Sequence, residues 1–272
     1  MQEVPRIGPR AVKPSGCDSG PPVVRTDRPL GGCLSIYQFY SHMFSSVSSS
    51  ARIAVLPQAP INGSLVPGLT SLWHRADAGP YGDRRYPGNC PGTLIKDLLL
   101  YFRPKSVFDP MTGSGVCKDV CNELGIDCMS KDIRFGFDAC DPDNYKNLPL
   151  FDFIFCHPPY WRQKIYTGTT ADMSSCPTLK LFLRRYEQFI LNAASVLKPG
   201  GKLAILMGDY DDREEGFCPL VYHTKRICFE NGLKQHCTDI IRFSHGASSS
   251  KKIYRSSFIP GLHDVLTIVE KA

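Results

Sequence analysis

Residues 106–125 read SVFDPMTGSGVCKDVCNELG: a short apolar run, a turn carrying Gly113 and Gly115, then a segment of helical period that stops at Gly125. A strand that enters a helix through such a turn points to a parallel sheet with helices on its faces. Neither Gly113 nor Gly115 has a Cβ, so the backbone can turn sharply and approach a ligand closely. The helix N-terminus then offers free amide donors at the carboxyl end of a strand, where open α/β sheets bind ligands.

The chain from Ser71 onward repeats the alternation. CMSKDI (128–133) reads as the next strand, and FDFIFC (151–156) as a central strand apolar on both faces. LKLFLRRYEQFILNAASVLK (179–198) has helical spacing and is expected to stop at Pro199-Gly200-Gly201, with KLAILM (202–207) following as a strand. Pro219 to Asn231 reads as a helix closed by Gly232. KQHCTDIIRF and DVLTIVEK are the last strands. No helix separates them, so they are expected to pair antiparallel at the sheet edge.

Composition bounds the rest. A length of 272 residues suits one large domain or two small ones. Residues 1–68 are rich in proline, and Ser45 to Ser50 is nearly all serine. They read as a largely unstructured tail, a docking arm being the functional alternative, and 69–272 as the domain. No stretch approaches the ~20 apolar residues of a membrane helix. The N-terminus lacks the apolar run of a secretory signal, so the expected location is cytoplasmic, at the nucleoid if the source is bacterial. Twelve cysteines occur without a CxxC pair. Cys117 and Cys121 stand four apart with no evident partner to close a metal site, so no metal is expected and the thiols are read as reduced. Lys plus Arg number 32 and Asp plus Glu 26, and the net charge of +6 permits a polyanionic partner.

Two motifs carry chemistry. In FDPMTGSG, Asp109 can hold an amino or ammonium group, and Pro110, Met111, Thr112, Gly113, Ser114 and Gly115 form the turn. Asp132, at the end of the next strand, can take two hydrogen bonds from ribose hydroxyls, and Ile133 can pack on an adenine face. No GKS or GKT follows, which excludes a P-loop. The second motif is His157-Pro158-Pro159-Tyr160, at the exit of FDFIFC. Its prolines fix φ and remove two amide donors, so the carbonyls of the turn are rigid acceptors. His157, if neutral, adds a second acceptor, and Tyr160 a face for stacking. Together they suit a flat ring with an exocyclic amine. Fixed acceptors on both N–H hydrogens favour a pyramidal nitrogen whose lone pair can attack a sulfonium methyl.

The two motifs resemble those of the S-adenosylmethionine-dependent amino-methyltransferases that act on adenine N6 or cytosine N4. FDPMTGSG is similar to their cofactor motif and HPPY to their DPPY, NPPY or SPPY tetrad. The resemblance covers roughly 71–272. It implies an α/β, Rossmann-like class I fold, with a seven-stranded, mostly parallel sheet and an antiparallel last strand. YPGNCPGTLIKDLL (86–99) resembles the segment that lines the methionine end of the cofactor, which implies Pro91 and Thr93 there. GFDACD (136–141) resembles the third cofactor motif and places Asp138 near the adenine amino group. The resemblance further implies a flipped or unpaired base in the HPPY pocket. His157, in place of Asp, Asn or Ser, leaves adenine and cytosine both open. No room exists for a separate target-recognition domain, so specificity falls to loops, the tail, an accessory partner or a homodimer. DNA stands ahead of RNA as the polymer. RNA bases, protein glutamine amides and a non-catalytic binding role are the alternatives.

Two loops complete the expectation. In WRQKIYTGTTADMSSCP (161–177), Trp161 and Tyr166 are placed to stack on neighbouring bases, beside Arg162 and Lys164. In 243–258, Lys251, Lys252 and Arg255 are placed to contact phosphates. GDYDDREE (208–215) reads as mainly a solvated turn, and His223, His236 and His245 as ordinary residues.

Overall fold

The computed structural model describes residues 62–243, 259 and 261–272. Residues 1–61 and the loop with Lys251, Lys252, Arg255 and His245 lie outside the described residues. The first described residues form a turn in which the Asn62 amide donates to the Val66 and Leu69 carbonyls, with Val66 buried.

The described elements run β1 (Leu72–Trp73), α1 (Gly92–Phe102), β2 (Ser106–Asp109), α2 (Val116–Leu124), β3 (Asp127–Ser130), β4 (Phe151–Cys156), α3 (Leu179–Ser195), β5 (Leu197–Met207), β6 (Tyr210–Asp212), β7 (Gly216–Cys218), α4 (Leu220–Glu230), β8 (Lys234–Gln235), β9 (Ile240–Arg242) and β10 (Asp264–Glu270). The main sheet has the order β1-β9-β10-β5-β4-β2-β3, and β8 pairs the far end of β10. Every pairing is parallel except those made by β10. Because β8 and β9 share one partner, the sheet has seven positions with an antiparallel last strand: the Rossmann-like α/β arrangement expected from the sequence.

Strand alternation builds two cores. Phe153, Phe155, Ala204 and Leu206 face a layer with Leu94, Leu98 and Val120 of α1 and α2. Ile154, Cys156, Leu203 and Ile205 face Phe182, Tyr186, Phe189 and Ile227 of α3 and α4. These strands are apolar on both faces because helices cover both. The α2 helix starts at Gly115 and is closed by Gly125, as its period predicts. At α3, Thr178 caps the start by accepting from the Leu181 amide at 3.2 Å.

Three expectations change. The α3 helix ends at Ser195, before Pro199-Gly200-Gly201. Those three residues lie within β5, where the register against β4 shifts between Phe151 and Phe153, so they form an irregularity of the strand and not a helix stop. β10 is not at the sheet edge: it lies between β5 and β9, and β1 covers β9. GDYDDREE is not mainly a solvated turn. It runs into the hairpin β6–β7, with Asp212 only 5% exposed. Helix α1 was not read from the sequence, although Leu94, Ile95, Leu98 and Leu99 recur at helical spacing and are all buried.

The Tyr186 hydroxyl donates to Thr224 Oγ1 at 2.8 Å, and Thr224 donates to the Leu220 carbonyl. Tyr186→Phe keeps the Thr224 proton satisfied, so it should cost about 1 kcal/mol. Phe189→Ala, which leaves a cavity, should cost about 3–5 kcal/mol. Urea denaturation checks the pair; equal losses would contradict this division between α3 packing and its hydrogen bond.

Candidate active site

A cleft opens at the carboxyl edge of β2 and β4. Its walls include Asp109, Pro110, Met111, Thr112, Gly113 and Ser114 from the first turn, and Asp132, Ile133 and Asp138 from the segment after β3. His157 and Pro159 border the same cleft, so the structure joins the two motifs. Gly115 lies just behind the wall as the residue before α2, with φ +91°. Gly113 has φ +53°, and a Cβ there would meet Tyr86 Cε1 at 2.8 Å, so a larger residue would be strained and would displace the Tyr86 ring.

Asp109, Asp132 and Asp138, three of the four acids that line the cleft, have different surroundings. Asp109 is 4% exposed, and its Oδ1 accepts from the Met111 amide at 3.1 Å. Burial pushes its pKa up to about 8, against the opposing Met111 amide. The Thr112 hydroxyl is close enough to favour the anion but makes no full hydrogen bond. Asp132 is already engaged. Its Oδ2 accepts from the Gly113 amide at 2.9 Å, and its Oδ1 from Arg134 N at 3.0 Å and Nε at 2.7 Å. A carboxylate offers about four lone-pair sites. About one therefore remains, so Asp132 can take one ribose hydroxyl in this arrangement, not the two expected. Asp138 accepts from the Cys140 amide at 2.8 Å and from Arg185 at 2.9 and 3.0 Å.

The second motif is tied together internally. His157 Nε2 lies 2.9 Å from the Tyr160 hydroxyl. Desolvation, with the nearby Arg242 charge, lowers the His157 pKa to about 3, against a hydrogen bond to the Gly88 backbone. The ring is therefore neutral, with one nitrogen donating to the Gly88 carbonyl and Nε2 accepting from Tyr160. This corrects the expectation that His157 offers a free acceptor, because Tyr160 already holds it. Pro158 and Tyr160 do not border the cleft. Tyr160 packs against Gly208, where a Cβ would come within 2.7 Å of its Cε2 and 2.5 Å of Asp264 Oδ1. Asp264 is ion-paired with Arg242. The Arg242–Asp264 pair and Gly208 escaped the sequence reading because they come from distant strand ends.

The loop after HPPY divides. Tyr166 borders the cleft and stacks on Tyr86 with ring centroids 6.0 Å apart, while Arg134 lies 4.8 Å from the Tyr86 ring. Trp161 cannot stack on a base. It is fully buried, with φ +47°, and its indole N–H donates to the Cys176 carbonyl at 2.8 Å. Arg162 is turned to Asp212 through Nε at 2.9 Å and a terminal nitrogen at 2.6 Å, and also pairs with Glu214. That guanidinium holds the Asp212 carboxyl well below the usual range. Lys164 is exposed away from the cleft. Pro91 and Thr93 also fall outside the lining; Thr93 donates to the Asp77 carbonyl at 2.9 Å. Gly88, Asn89 and Cys90 line the cleft in their place, and Asn89 accepts from Ser114 at 2.7 Å.

Asp172 was also missed. Burial opposes its charge, but hydrogen bonds from Ser174, Thr167 and Gly168 outweigh it and hold its pKa below the usual range. It thereby shapes the loop that carries Tyr166. Its signal in the sequence was an aspartate two residues before Ser174, the spacing of an Asx turn. The Cys117–Cys121 pair, for which no partner was evident, meets Cys128 of β3.

No family model matches the chain, and no curated protein is significantly similar to it in sequence. Solved structures give a likeness of fold. One is a Thermus thermophilus protein ascribed to the DNA modification methylases and complexed with S-adenosyl-L-methionine. It is 20% identical over 49% of this chain and 53% of that one, with a TM-score of 0.35. TrmN from Thermus thermophilus is 16% identical over 68% and 50%, at 0.39. TehB from Haemophilus influenzae is 14% identical over 66% and 62%, at 0.39. The chain spans about half the length of the first of these. Likenesses this distant carry no argument about activity; the strand order and register of the chain itself define it as a methyltransferase-like Rossmann fold.

Asp109 makes a prediction about the protein without ligand. Its folded pKa, about 8, stands above the ordinary value of 3.8, so between these pH values the native state holds a proton that the unfolded state has lost. Stability should fall as pH rises through that window, by roughly 1 kcal/mol per unit, and Asp109→Asn should remove that slope. Denaturation midpoints from pH 5 to 8 decide it; an unchanged slope in the variant would contradict the assignment.

Proposed function

We propose that this chain is an S-adenosylmethionine-dependent methyltransferase acting on an exocyclic amino group of a nucleic-acid base, adenine N6 or cytosine N4, in DNA. The observation that carries the reading is the shared wall: His157 and Pro159 border the same cleft as Asp109, Gly113, Asp132 and Asp138.

The cleft fits such a cofactor in its donor set. Asp132 retains a lone pair for a ribose hydroxyl, Ile133 offers an apolar face for adenine, and Asp138 an acceptor for the adenine amine. Asp109, buried and protonated near neutral pH, would ionise beside the ammonium end, and the unsatisfied Thr112 hydroxyl would gain a partner there. S-adenosylmethionine, when bound, supplies an electrophilic methyl group.

The chain's own residues do the rest. A histidine with a pKa near 3 is a poor general base at neutral pH, so His157 serves as a fixed acceptor that orients the Tyr160 hydroxyl. In this reading the amine enters on the Tyr160 side of the His157–Pro159 wall, where the Tyr160 oxygen, its proton directed to His157, keeps lone pairs for an amine hydrogen. A carbonyl of the proline-fixed turn accepts the second. Two fixed acceptors draw the amine toward pyramidal geometry and stabilise the cation formed when it takes the methyl group; the proton then leaves to water. Lys251, Lys252 and Arg255 remain the proposed phosphate contacts, and Trp161 and Arg162 are withdrawn from that role.

The test is incubation of the purified protein with methyl-labelled S-adenosylmethionine and duplex DNA, single-stranded DNA, total RNA or total cell protein, followed by mass analysis of nucleosides and peptides. Label on adenine N6 or cytosine N4 from DNA is expected. Label on RNA alone would move the substrate, and label on protein glutamine would replace the nucleic acid. No transfer to any pool would contradict catalysis. Tyr160→Phe and His157→Ala should cut turnover by roughly 100-fold while leaving cofactor affinity within about twofold. Asp132→Ala should weaken cofactor binding first.

A further inference from the structure

Three thiols converge behind the cleft. Cys117 and Cys121 stand one helical turn apart on α2, and Cys128 comes from β3, which pairs with β2 beneath that helix. Their sulfur atoms all lie within 4.8 Å of one another. All three are free thiols, the first two buried and Cys128 half-buried. We propose that Cys117, Cys121 and Cys128 form a binding site for a thiophilic d10 metal ion, with Cu(I) as the ion the donor set fits.

The donor set selects the metal. A group of three sulfurs, with no imidazole or carboxylate in it, is a soft site, and soft thiolates favour Cu(I) over hard divalent ions. Structural zinc is almost always four-coordinate, and this group offers three ligands. A d10 ion of single charge imposes no ligand-field geometry and accepts three thiolates in a plane. Small side-chain rotations bring sulfurs at this separation onto one ion. The site also has a route in, because Cys117 borders the cleft. On binding, each S–H releases its proton to solvent and each sulfur donates an electron pair to the metal. No electron is transferred. The resulting site is anionic, and the Lys118 ammonium, which donates to the Cys128 carbonyl at 2.8 Å, is at hand to offset it. Three packed cysteines can also serve as small apolar residues, and metal titration separates that role from ligation.

The experiment is an anaerobic titration of the full chain, free of S-adenosylmethionine, against Cu(I) held by a coloured chelator. The wild type should withdraw one equivalent. Cys121→Ser should lower that affinity by at least about 100-fold, since changes that only touch a ligand's neighbours already cost 10–100-fold. Cys237→Ser, at an exposed thiol outside the cluster, should leave stoichiometry and affinity unchanged. A second reading needs no variant. Cd(II) added to the wild type should give an ultraviolet thiolate-to-metal band with the intensity of three thiolates. Copper left with the chelator, affinity unchanged in Cys121→Ser, or a band worth fewer than three thiolates would each overturn the proposal. Neither titration depends on methyl transfer, so the two readings fail separately.

Discussion

Strands β2 and β4 are neighbours in a parallel sheet, and that pairing makes one site out of two motifs. Val107 stands opposite Phe153 and Phe108 opposite Ile154. Both strands therefore end at the same edge, and the glycine turn and the HPPY turn leave it side by side. A strand inserted between them would separate the motifs by a further ~4.8 Å, and a slip of one residue would turn Asp109 to the other face. The register is held by burial on both faces. Phe108 and Ile154 belong to one core, Val107 and Phe153 to the other.

The edge then gains its chemistry from unequal treatment of similar groups. Asp132 and Asp138 each have an arginine, Arg134 and Arg185. Among the described residues, Asp109 meets an amide and no cation, so it keeps its proton near neutral pH. At the second turn, the Gly88 backbone and the Tyr160 hydroxyl occupy the two sides of His157, which fixes a neutral ring. Gly208 allows Tyr160 to pack that closely, and fully buried Trp161 anchors the turn at a positive φ that bulky residues rarely adopt.

Much of this was legible in the chain. FDFIFC gives its own strand to the residue, because six apolar or half-buried positions between turn signals leave no other reading. Gly125 and Gly232 mark helix ends through their left-handed backbone. What was not legible depends on contacts between distant segments. Nothing near Trp161 announces that it faces the core, and only the β6–β7 hairpin shows why Arg162 is turned to Asp212 and not to a phosphate. Cys128 stands seven residues from Cys121, a spacing outside the usual metal motifs, and joins the pair only because β3 lies under α2. Helix α1 was masked by the proline and glycine residues before it, although its apolar spacing was present.

The central claim is that the cleft between the two turns holds S-adenosylmethionine, with Asp109 ionising as it does so. Calorimetric titration in buffers of different ionisation enthalpy, at pH values from 6 to 9, measures affinity and proton release together. The account predicts one equivalent bound. Affinity should rise with pH and level off near the Asp109 pKa of about 8, with proton release below that point and neither effect in Asp109→Asn. Absence of binding to the folded protein, or a pH profile unchanged in the variant, would contradict it.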